Sequence, residues 1–319
     1  MSSRDRGVST AVDVALFLLL VSAAVLTLTY GLGDDEPDRA EPEWIAETLA
    51  ATTTDVEYSL EPIAENDETG TFDDEAFESE TYQRTGHGPI AGLLAEAAVT
   101  NARLDDQQLT HAGEDFEKAV ERNVLGTLEG EADVQVIATW RPYEGASIEG
   151  EASAGRTPPP DADVAAATMT VSSGMPPADE RAVVEGYESD GVEGASRPIA
   201  DAIVEGYLPR EESQLALEGQ GTKRAFAVYR YQRLADILEV DLDEADGNLS
   251  RSGANTSAAN GRLETALAAV IADDLEDAFG SDIERLEEEY PADERGRVIG
   301  ETIAADVSTG EATITVRTW

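Results

Sequence analysis

Glu131-Ala132-Asp133-Val134-Gln135-Val136-Ile137-Ala138-Thr139-Trp140 and Glu311-Ala312-Thr313-Ile314-Thr315-Val316-Arg317-Thr318-Trp319 match with one gap, each after a helical pattern and a Gly turn. In both, apolar residues take alternate positions, which is the period of a strand with one buried face. The pair predicts two core strands of one antiparallel sheet. Alternating Ala, Val and Thr also arises by chance, so internal duplication and coincidence both stay open.

The segments around these strands predict helices and further strands, making the fold class α+β with an antiparallel sheet and several amphipathic helices. Pro89 opens a helix whose Ile90, Leu93, Leu94, Ala97 and Ala98 follow the i, i+3, i+4, i+7, i+8 pattern. A second helix covers Glu114 to Leu128, with Phe116, Ala119, Val120 and Val124 on one side, and Glu129-Gly130 turns the chain after it. Thr54 to Leu60 and Ala162 to Ser172 read as strands. Between the Ala132–Trp140 strand and the Ala162–Ser172 strand, which suggest an antiparallel pair, Pro142 to Asp161 reads as a long loop in which Pro158-Pro159-Pro160 is a polyproline spacer. Four helices follow: Pro198 to Leu208, Phe226 to Val240, Arg262 to Phe279 and Arg297 to Asp306. Glu61 to Thr81 and Asp241 to Gly261 read as polar loops, the first of them mobile.

The 319 residues hold 67 Asp+Glu against 22 Lys+Arg, a formal net charge of -45, and lysine occurs only at Lys118 and Lys223. Carboxylates on this scale suit molar salt, where the Debye length falls to about 3 Å and like charges hardly repel. Apolar residues at helical and strand spacings between the acids argue against a disordered acidic tail. A surface this negative lacks the basic stripe that phosphate backbones require, so no nucleic-acid partner is expected. Cysteine is absent, which excludes disulfides, thiolate metal sites and thiol nucleophiles.

No motif names a catalytic chemistry, a cofactor or a metal, and the chain is expected to be no enzyme. Gly219-Gln220-Gly221-Thr222-Lys223 lacks the spacing of a phosphate-binding loop, and Asp241-Leu242-Asp243-Glu244-Ala245-Asp246-Gly247 lacks the spacing and the twelfth-position Glu of a calcium loop. His87 and His111 are the only histidines, and each reads as a loop or core residue. Asn248-Leu249-Ser250 and Asn255-Thr256-Ser257 are glycosylation sequons, which makes Asn248 and Asn255 candidate acceptors.

Val14 to Leu32 is an apolar run of 19 residues, polar only at Ser22, Thr27, Thr29 and Tyr30. As a helix it measures about 28 Å, close to a hydrocarbon core. Arg4 and Arg6 precede it and Asp34, Asp35 and Glu36 follow, so a span would leave the N-terminus cytoplasmic and the acidic domain outside. A cleaved secretory signal is the rival account, with Gly31 and Gly33 as a poor cleavage site. Thr10-Ala11-Val12-Asp13 also fits a capping box, which alone would explain an acid there. The chain thus divides into 1–33, leader and transmembrane anchor helix; 34–53, a juncture in which Trp44 to Ala51 forms a short stalk helix; and 54–319, an acidic extracytoplasmic domain.

Arg4-Asp5-Arg6-Gly7, then Val8-Ser9-Thr10-Ala11-Val12-Asp13 and the Leu/Val/Ala stretch, resembles the N-terminus of archaeal type IV pilin-like precursors and of tight-adherence minor pilins. The whole also resembles single-span proteins of salt-loving archaea. The resemblance implies prepilin peptidase cleavage between Gly7 and Val8, and Asp13 as the acid that registers neighbouring subunits. Asp13 falls sixth after Gly7, where the family has its acid fifth. The implied function is a non-enzymatic subunit of a surface filament or secretion apparatus, with the lipid bilayer and other pilin-like subunits as partners. The alternative is a monomeric anchored ectodomain that binds a solute or the cell envelope, and an extracytoplasmic enzyme comes third.

Overall fold

The computed structural model describes residues 41–66, 72, 79–128, 133–242, 248–250 and 252–319. In chain order the elements are α1 (Pro42–Ala51), β1 (Thr53–Ser59), α2 (Glu61–Glu65), a 3-10 turn (Ser79–Tyr82), β2 (Gln83–Pro89), α3 (Ile90–Thr100), β3 (Arg103–Leu104), β4 (Gln107–Gln108) and α4 (Gly113–Thr127). Then come β5 (Val134–Trp140), β6 (Ile148–Gly155), β7 (Ala165–Ser172), α5 (Glu180–Tyr207), α6 (Arg210–Glu218), α7 (Thr222–Ile237), α8 (Thr256–Glu289), α9 (Ala292–Asp306) and β8 (Glu311–Thr318).

The six-stranded sheet has the order β4-β3-β6-β5-β8-β7, and every neighbouring pair is antiparallel. The two similar segments are adjacent strands, with Val136 opposite Val316 and Ala138 opposite Ile314. Their shared face is fully buried beneath α1 and α3, while Thr139, Thr315 and Arg317 on the other face are half-buried and Thr313 is exposed. This is the usual division of an antiparallel sheet with one wet face.

Helix α3 is buried on most sides, because Ala91, Ala95 and Val99 join the expected stripe in the interior. It lies so close to the sheet that a Cβ on Gly150 of β6 would stand 2.0 Å from the Ala98 carbonyl oxygen. Helix α1 packs its Ile45, Ala46 and Leu49 against the β7–β8 side of the sheet, where the sequence suggested a stalk. The sequence also suggested an unbroken loop over Pro142 to Asp161, which instead contains β6.

Helices α5, α8 and α9 pack on one another as a further layer. α5 is broken at Asp190 and Gly191, where Gly191 has φ 64, a conformation that glycine adopts freely. The two halves then meet backbone to backbone, since a Cβ on Gly186 would stand 2.3 Å from the Gly194 oxygen. Pro198 lies inside the second half and has no N–H to donate to the Gly194 carbonyl four residues back. Tyr143 and Ser147, between β5 and β6, hold the layer to the sheet by donating to the Asp274 carboxylate of α8 at 2.7 and 2.5 Å from their hydroxyls.

The expectation of a single N-terminal transmembrane helix in the fold class is corrected. Among the described residues no helix is long and apolar enough to cross a membrane. The longest, α5 and α8, carry Asp, Glu and Arg along their length, as amphipathic helices of a water-facing domain do. The segment 14–32 and the turn at Glu129-Gly130 lie outside the described residues.

Candidate functional site

On α7, Lys223, Phe226, Ala227 and Arg230 recur at i, i+3, i+4 and i+7 and so share one face of the helix. That face forms a wall of a cavity of about 1200 Å³. The C-terminal half of α7 is held in the core by Tyr231, Leu234 and Ala235. Arg224 fixes the first turn by donating to the carbonyls of Leu217 (2.6 Å) and Leu249 (3.0 Å). Gly221 precedes the helix with φ 69, which turns the chain sharply out of α6.

The facing walls come from distant parts of the chain: Tyr58 of β1, Arg84 of β2, Glu96 of α3 and the Tyr207 end of α5. Tyr58 packs its ring 4.7 Å from that of Phe116, centroid to centroid. Arg84 donates to the carbonyls of Thr81 (2.9 Å) and Gln83 (2.7 Å) and lays its guanidinium 5.4 Å above the centroid of Phe226. Phe226 in turn packs against Phe72 and Tyr82, with centroids at 5.1 and 6.1 Å. Tyr207 donates to the Val99 carbonyl at 2.6 Å, and Trp140 lies edge-on to its ring at 6.3 Å. The apolar side of the cavity is therefore braced by the core.

Arg230 and Glu96 both keep exposed surface, and both line the cavity. Desolvation nevertheless lowers the pKa of the Arg230 guanidinium and raises that of the Glu96 carboxyl. Among the described residues Arg230 has no hydrogen bond or ion pair, and Lys223 has none either. The described ionisable side chains other than tyrosine lining the cavity are Arg84, Lys223 and Arg230 against Glu96 and Glu212. Three positive charges minus two negative leave one positive, inside a chain of net charge -45. Tyr58 feels both signs: burial raises its pKa, Glu96 raises it further, and Arg84 and Arg230 oppose the shift.

The residues singled out from sequence lie elsewhere. Gly7, Val8 and Asp13 lie outside the described residues. Asn248 is 1% exposed and neither atom of its amide has a partner, so its side chain is closed to a glycosylating enzyme in the folded domain. Asn255 is exposed, and its side-chain oxygen caps α8 by accepting from the Ala258 N–H at 3.1 Å. Asp241 to Gly247 falls mostly outside the described residues. His87 sits at the surface with Nδ1 2.6 Å from Asp55 Oδ1, and His111 pairs with the Tyr229 hydroxyl at 2.6 Å. Neither histidine lines the cavity, and no group of acids and histidines among the described residues could hold a metal. Gly219, Gln220, Thr222 and Lys223, passed over for want of a phosphate-loop spacing, do line it. The signal missed was the stripe from Lys223 to Arg230, because the helix was expected to begin only at Phe226.

The chain belongs to the Family of unknown function (DUF7284), whose model matches residues 12–319. No curated protein and no solved structure matches it.

Proposed function

We propose that this family member is a non-catalytic binding domain that holds a small solute in the cavity walled by α7. The cavity itself supports this reading. Protein interiors pack as densely as organic crystals, and ligand sites enclose roughly 300 to 1,000 Å³. A cleft of about 1200 Å³ walled in part by braced aromatic rings is somewhat larger than that range and too large for a packing defect. Arg230 and Glu96 line it with no hydrogen bond or ion pair from their side chains among the described residues, so a complementary solute finds both groups available. The described lining offers hydroxyls and charges but no histidine beside them, which favours binding over chemistry.

Ala227, 7% exposed on the cavity wall, gives the test. Ala227→Trp would fill the space from α7. In molar potassium chloride, a chemically varied set of small molecules should include some that raise the melting temperature of the native domain but not of Ala227→Trp. If every hit shifts both proteins alike, or none shifts the native domain, the binding reading fails.

A further inference from the structure

We infer, on the basis of that reading, that the solute is an organic carboxylate with an apolar body, its carboxylate seated on Arg230 and its body lying along Phe226 and Ala227. Of the two guanidinium groups that line the cavity, Arg84 is held by backbone carbonyls, and Arg230 has no hydrogen bond or ion pair among the described residues. Guanidinium presents a planar fork that matches a carboxylate with two parallel hydrogen bonds. Of the described carboxylates, Glu212 is the one that acts on Arg230, and it stands beyond ion-pair distance. The fork therefore faces the cavity free to accept an incoming acid.

The stripe sets the shape of the rest. Phe226 and Ala227 lie one turn before Arg230 on the same face, so a chain or ring attached to the bound carboxylate meets apolar surface at once. Lys223 lies a further turn away, about 10 Å from Arg230 along the axis at 1.5 Å per residue. It is exposed and one of only two lysines in the chain, and it gives the stripe a positive end through which an anion can be drawn in. The charge balance of the lining points the same way. Of its two carboxylates, Glu96 is pushed by burial toward the neutral form, whereas a guanidinium stays charged at any pH the cell reaches.

The test uses calorimetric titration of the native domain in molar potassium chloride with 3-phenylpropanoate, 6-phenylhexanoate and naphthylacetate, alongside the primary amide and the amine of each and formate alone. The proposal expects the arylalkyl acids to bind, with their amides and amines weaker by about tenfold to a hundredfold, the worth of a hydrogen-bonded charge. Arg230→Gln should erase that preference, and Arg230→Lys should restore only part of it. If acids, amides and amines bind alike, or if Arg230→Gln keeps the preference, the anion assignment is overturned while solute binding stands. If formate binds as tightly as the aryl acids, only a small anion sits there and the apolar body is overturned. If no acid binds but the varied set gives hits sensitive to Ala227→Trp, the carboxylate class is wrong and the cavity reading survives.

Discussion

The guanidinium of Arg84 lies 5.4 Å above the ring centroid of Phe226, and its N–H groups are fixed by the carbonyls of Thr81 and Gln83. One exposed strand end is thereby tied to the helix that forms the cavity wall. Phe226→Ala should cost about 3 kcal/mol, because it empties the space between Phe72 and Tyr82 as well as freeing Arg84. Arg84→Gln should cost about 1 kcal/mol. Urea unfolding in molar salt would measure both, and equal costs would mean that the aromatic cluster does not carry the wall.

Asp274 is the fixed point between the helical layer and the sheet. Its carboxylate accepts from the Tyr143 hydroxyl, the Ser147 hydroxyl and the Ser147 N–H, the last at 2.9 Å. Asp274→Ala would strand a buried tyrosine hydroxyl and should cost about 3 kcal/mol, with Asp274→Asn in between. Equilibrium unfolding of the three proteins checks the order.

Glu96 gives a pH-dependent prediction whose sign follows from burial. Its folded-state pKa is raised, so the folded state favours the protonated form. The associated stability is present below the unfolded glutamate pKa and is lost as pH rises through the folded value. Glu96→Gln should therefore be more stable than the native domain at neutral pH, with the difference vanishing below about pH 4. Melting temperatures across that range decide it, and a difference independent of pH would show that Glu96 is not desolvated.

The net charge of -45 predicts dependence on salt. As ionic strength falls from molar to about 0.01 M, the screening length grows from about 3 to about 30 Å and the acidic surface repels itself. Cooperative thermal unfolding should be lost on that dilution. A circular dichroism signal unchanged across the range would remove the case for salt adaptation.

Deleting Ile314 to Trp319 should abolish cooperative folding, since β8 lies between β5 and β7 and carries Ile314 and Val316, both fully buried. A truncated domain with a sharp melting transition would mean that the sheet closes without its penultimate strand.

Sequence pattern revealed β5 and β8 because each buries one face, so apolar residues had to alternate. It hid β6, whose buried positions include the small residues Gly150, Ala152 and Ala154, with the α3 backbone lying directly on Gly150. The first half of α5 was equally hidden, since its glycines serve a close contact and a break in place of an apolar stripe. The cavity could not be read locally at all. Its walls come from β1, β2, α3, α5, α6 and α7 and from the turn after β7, segments far apart in the chain.

Methionine methyl groups provide the most direct test of the cavity as the site of an organic acid. Met175 lines the cavity, whereas Met169 is buried in β7 against the sheet's helix-covered face and does not. With carbon-13 methionine methyls, titration of 6-phenylhexanoate into the domain in molar salt should move the Met175 signal to saturation and leave Met169 in place. A Met175 signal that stays fixed while the acid is added in excess, or one that moves no more than Met169, would contradict the account.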